Sequence, residues 1–78
     1  MINKPRFDKA TNHYFGKHLY PYSIRVFPGT PEISIAISKW LSNVLEHPTD
    51  FRMWPNNTSY DIHFREEKFL TMFLLKWS

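Results

Sequence analysis

Residues 65–78 read REEKFLTMFLLKWS, and how this tail divides decides the fold. As one helix, it would place Glu66 and Glu67 in the first turn, against the positive end of the macrodipole, with Phe69, Leu70 and Phe73 on the apolar stripe. Leu70, Phe73, Leu74 and Trp77 would then need cover on one side while Met72 and Leu75 pointed to the other. The alternative is a short helix over residues 66–72 and an edge strand over 73–77. There Phe73, Leu75 and Trp77 turn inward and alternate with Leu74 and Lys76. The second division hides more apolar area and is the expected one.

Working outward, Tyr60, Ile62 and Phe64 alternate with Asp61, His63 and Arg65, the period of a half-buried strand. Before it, Phe51-Arg52-Met53-Trp54 reads as a short strand. Pro55-Asn56-Asn57-Thr58-Ser59 is a turn cluster, so the two strands should pair as a hairpin. Residues 30–48, TPEISIAISKWLSNVLEHP, form an amphipathic helix. Thr30 suits the N-cap, Pro31 the first helical position, and Pro48 ends the run behind His47. Ile33, Ala36, Ile37, Trp40, Leu41, Val44 and Leu45 recur at three- and four-residue steps and share one stripe. Residues 19–27 read as a further strand, with Tyr20, Tyr22, Ile24 and Val26 on the core side. Pro28-Gly29 turns the chain into the helix.

Residues 1–17 show no sustained period and read as an extended N-terminal arm, with Phe7, Tyr14 and Phe15 pinned to the core edge. Lys4, Arg6, Lys9 and Lys17, with His13 and His18, are available to a partner. Residues 18–78 form a single α+β domain. The implied order is β-α-β-β-α-β, a ferredoxin-like arrangement: a four-stranded antiparallel sheet with two helices on one face and the first and third strands at the centre.

Seventy-eight residues suffice for one small core, and an aromatic content of 18% supplies large side chains to fill it. The absence of cysteine excludes disulfides, thiolate zinc sites and thiol catalysis, and fits a reducing compartment. No apolar run reaches the roughly 18 residues of a membrane span. The start, MINKPRFDK, carries no hydrophobic signal core, so a cytoplasmic protein is expected. A net charge of +3 is mildly basic and also serves solubility.

Strand alternation assigns the sheet face away from the helices to Ser23, Arg25, Phe27, Arg52, Trp54, Asp61, His63 and Arg65, with Leu74 and Lys76 from the tail strand. Arg25, Phe27, Arg52, Trp54, His63 and Arg65 are the candidate partner-binding residues. Trp, Arg and Phe are enriched where protein interfaces draw their energy, and a small protein leaving them on one face calls for a partner or a second copy of itself. Cations interleaved with aromatic side chains also admit a second reading, single-stranded nucleic-acid binding. A third reading is a structural subunit of a symmetric assembly. The bland alternative is a solvated face laced by cross-strand ion pairs such as Arg25 with Asp61.

Nothing points to an enzyme. His13 and His18 are five apart, not at the helical i, i+4 spacing of a metal pair, and no carboxylate cluster joins them. Asp61 could orient His63 as a general base, but a simple polar pair on one strand face accounts for both. Ser34, Ser38 and Ser42 line the polar side of the helix. With only Gly16 and Gly29 there is no phosphate-cradling loop. No catalytic residue, metal or cofactor is expected.

The phrase Tyr60-Asp-Ile-His-Phe64, followed by Met72-Phe73-Leu74-Leu75-Lys76-Trp77 and preceded by an amphipathic helix carrying Trp40, resembles small accessory proteins of tailed bacteriophages with a split-βαβ pattern. The resemblance covers roughly residues 19–77. It implies an inhibitor, accessory or assembly factor in the host cytoplasm that binds another protein, host or viral, rather than a catalyst.

Overall fold

A computed structural model describes residues 4–10 and 19–78 of the chain. Its elements run β1 (Arg6–Asp8), β2 (Tyr22–Phe27), α1 (Pro31–Val44), β3 (Phe51–Pro55), β4 (Tyr60–Phe64) and α2 (Glu67–Trp77). The four strands form one antiparallel sheet in the order β1-β2-β4-β3, so the class is α+β.

Helix α1 begins as its residues dictate. Thr30 has extended backbone, its Oγ1 accepts from the Ile33 N–H at 3.2 Å, and Pro31 opens the first turn. The helix stops at Val44, where Leu45 leaves helical geometry while its N–H still reaches the Leu41 carbonyl. That is four residues before Pro48, the expected stop. Ile37, Leu41 and Leu45 are buried, whereas Ala36 and Val44, also assigned to the stripe, are exposed. Ahead of the helix, Gly29 takes a positive φ of 86°, which only glycine adopts without strain.

Side-chain parity in the sheet follows the alternation. Ile24 and Val26 of β2 and Ile62 and Phe64 of β4 turn toward the helices and join Ile37, Leu41, Leu45, Phe51 and Phe73 in one core. Strands β2 and β4 are the central pair, in register at Ile24 with Ile62 and Arg25 with Asp61. Tyr22 opens β2 at the end of the sheet and is exposed, and Tyr20 lies outside the strand.

The tail differs from expectation. Residues 67–77 are one helix, and no strand forms over 73–77. Between Glu67 and Trp77 the chain has no Gly or Pro and one β-branched residue, Thr71, so local preference favours a continuous helix. It also leaves Met72 and Leu75 exposed, the apolar surface that the divided reading was meant to hide. The strand beside β2 comes instead from the other end of the chain: β1, within the expected arm, pairs Arg6 with Phe27, Phe7 with Val26 and Asp8 with Arg25. Among the described residues the order is therefore β-β-α-β-β-α, and the strand order β1-β2-β4-β3 differs from that of the expected ferredoxin-like β-α-β-β-α-β arrangement. Tyr14, Phe15, Lys17, His13 and His18 lie outside the described residues.

Phe73 of α2 links the layers. Its ring meets Phe7 of β1 at 5.7 Å, Phe64 of β4 at 5.7 Å and Trp40 of α1 at 6.0 Å between centroids. Both helices thus cover the same side of the sheet.

Candidate functional site

On the other side of the sheet, the register stacks polar side chains into cross-strand rows. One row runs Asp8, Arg25, Asp61, Trp54 and another Ser23, His63, Arg52. Arg25 Nε donates to Asp61 Oδ1 at 2.8 Å and Nη2 to Oδ2 at 3.2 Å, a two-pronged pairing that suits guanidinium and carboxylate geometry. Burial pushes the Asp61 carboxyl up. Hydrogen bonds and charge from Arg25, with smaller contributions from Asn56 and His63, outweigh this and hold it below the ordinary carboxylate value. Arg25 is raised in turn, first by its hydrogen bond to Asp61.

This face is closed at its centre rather than open. Asp61 is fully buried and His63 is 5% exposed. The ion pair expected between Arg25 and Asp61 is present, but its carboxylate is sealed rather than solvated. Polar residues alternating with apolar ones mark which face a side chain takes, not whether that face is wet.

The six sequence-predicted residues therefore separate. Arg25 is half-buried and committed to Asp61, and Phe27 is half-buried with the Arg6 guanidinium 4.3 Å from its ring centre. His63 lies in the sealed centre. Arg52 and Trp54 are half-buried on β3, the edge of the sheet, and Arg65, just past β4, is exposed. The structure brings these last three to the β3 side and leaves Arg25 and His63 in the interior of the face and Phe27 at the end of β2, beside β1.

Tyr20, read from the sequence as a core residue of the first strand, belongs to this side as well. The Arg52 guanidinium lies 5.6 Å from its ring centre, and its hydroxyl donates to the Pro48 carbonyl at 2.5 Å. Tyr20, Arg65, Pro48 and Leu19 line a cleft of about 370 Å³. No spacing rule marks Tyr20 for this place; only the irregular backbone before β2 puts it there.

The hydrogen-bond parity of the hairpin adds a feature that side chains do not reveal. Asn56 N–H bonds the Ser59 carbonyl at 2.8 Å, and Arg65 N–H the Asp50 carbonyl at 2.9 Å. In an antiparallel ladder, bonded and non-bonded pairs alternate. Positions 50, 52, 54 and 56 thus bond to β4, while the amide and carbonyl of Phe51 and Met53 point away from the sheet. Pro55 has its missing N–H on that same outward side, where a proline fits an edge strand. Among the described residues no strand pairs with this edge.

No three His, Asp or Glu side chains gather among the described residues, and none of the described helices is long and apolar enough to cross a membrane. Compared with family models, with curated proteins and with solved structures, the chain matches none.

Proposed function

We propose that the chain is a non-enzymatic protein-binding protein that takes an extended segment of its partner onto the edge of β3. The observation that carries this reading is the outward row of backbone groups on β3, reachable at half-buried Met53 and covered at Phe51, which is 4% exposed, with Arg52 and Trp54 flanking Met53 on the outer face. An added strand gains main-chain hydrogen bonds from such an edge, and alternate side chains supply selectivity. Natural edges are usually blunted by shortness, charge or proline; β3 carries Arg52 and, at its end, Pro55, and still leaves Met53 between them. Arg65 and the cleft beside Tyr20 extend the surface.

The Asp61–Arg25 pair supports the non-enzymatic part. The Asp61 carboxylate, beside His63, already has its partner in Arg25, and it is buried with that histidine. A nucleic-acid reading is weaker, because two carboxylates, Asp8 and Asp61, stand in register on either side of Arg25 and offset its charge. An accessory, inhibitor or assembly role, the class that the phage resemblance implies, needs no more chemistry than this.

Met53→Pro removes the outward N–H and leaves the β4 ladder bonds intact. It is expected to abolish partner capture while thermal melting still shows a cooperative fold, and Trp54→Ala should weaken capture. In the wild-type complex, the Phe51 and Met53 amides should exchange hydrogen more slowly than in the free chain. Capture unchanged by both substitutions would remove the proposal, and an oligonucleotide competing the partner off at low salt would favour the nucleic-acid reading.

A further inference from the structure

We infer that the edge of β3 is self-complementary and that a second copy of this chain is one partner it accepts, pairing antiparallel about a two-fold axis through Met53. This rests on the reading of β3 as a strand-accepting edge and names an occupant for it. The strand reads Phe51-Arg52-Met53-Trp54-Pro55, and reversal about Met53 sets each residue against a complement. Met53 faces Met53 of the second copy. Both carry outward N–H and C=O groups, so the pair exchanges two hydrogen bonds. Phe51 faces Pro55, where the Phe51 N–H has the Pro55 carbonyl to donate to. The missing proline N–H would have pointed at Phe51, and its absence costs one bond on each side.

Between these bonded pairs, Arg52 faces Trp54 twice. Non-bonded antiparallel pairs bring Cα atoms to about 4.5 Å, closer than bonded ones, so side chains on one face touch. Arg52 and Trp54 are both on the outer face, and a guanidinium over an indole is the most favourable cation–π pairing. In the other arrangements of this strand, a parallel pair or an antiparallel one centred on Arg52 or Trp54, like faces like or the bonded parity is broken. The opposite edge offers nothing similar, since β1 is three residues long with Arg6 and Asp8 exposed at its ends.

The measurement is amide hydrogen exchange by NMR, run on the full chain across a concentration series with sedimentation for mass. Self-pairing predicts a rise toward twice the 9.5 kDa chain mass, together with concentration-dependent slowing at Phe51 and Met53. Trp54→Arg sets arginine against arginine and should raise the dissociation constant by about tenfold or more, from two lost cation–π pairs. The double variant Arg52→Trp with Trp54→Arg restores the facing pairs and should recover the dimer. A dimer in which Phe51 and Met53 stay unprotected overturns the inference, as does a monomer at millimolar concentration. A monomer whose two amides become protected by a captured partner removes only the self-pairing; unprotected amides in that complex remove the edge reading as well.

Discussion

Replacing Phe73 by Ala tests the helical tail and the core together. Phe73 is fully buried and touches rings from β1, α1 and β4, so no single neighbour can close the space left behind. Buried Phe→Ala changes cost about 3–5 kcal/mol. A chain of 78 residues has a total stability of roughly 4–12 kcal/mol, so this one change removes a large part of it. With an unfolding entropy of about 2.1 cal/mol/K per residue, a loss of about 4 kcal/mol lowers Tm by roughly 25 °C. Leu75→Ala is the control. In a helix Leu75 is 80% exposed, and its removal should change stability by no more than about 0.5 kcal/mol, a shift of about 3 °C. In an edge strand both side chains would face inward and cost similar amounts. Urea and thermal unfolding followed by circular dichroism separate the cases. Equal losses for the two variants, or a loss under about 1 kcal/mol for Phe73→Ala, would refute the continuous helix and the place given to its ring.

Asp61→Asn should destabilise the protein at neutral pH. Because the folded state holds the Asp61 carboxyl below its ordinary value, its contribution is full above the unfolded carboxylate pKa and is lost as pH falls through the lower folded value. The gap in Tm between wild type and Asp61→Asn should therefore narrow on acidification below about pH 4. Thr30→Ala removes the cap to Ile33 and should cost about 1 kcal/mol, read by urea denaturation. Gly29→Ala should cost about 1–2 kcal/mol through backbone strain alone, because a Cβ built there meets nothing within 4 Å. A larger loss would mean that the turn reshapes.

Much of this molecule is legible in the chain because single residues settle it. Thr30-Pro31 marks the start of α1, and the alternation around Ile24 and Ile62 sets which side chains meet the helices. The tail was not legible in the same way. Its apolar residues satisfy both periods, and avoidance of exposed apolar area does not separate them, because Leu75 stays exposed. Nor was β1, since three residues carry no period; Phe7 belongs to the sheet because β2 pairs with it and Phe73 covers it. Of the predicted contact set, Arg52, Trp54 and Arg65 gather at one side. Arg25, Phe27 and His63 do not join them, because parity reports direction while burial depends on what lies above, which local sequence does not encode. The outward amides of Phe51 and Met53 depend on the hairpin's bonding register, which follows only once the turn at Asn56 and Ser59 is known.

The Phe7–Phe73 contact joins residues separated by nearly the whole length of the polypeptide. Strand β1 is too short to persist alone, and α2 has no apolar shelter without the layer beneath it. Each therefore holds the other in place, like two ends of a belt meeting at one buckle. A protease that trims either end should loosen both at once, and amides in Arg6–Asp8 and in the middle of α2 should open in a single shared event rather than fray independently.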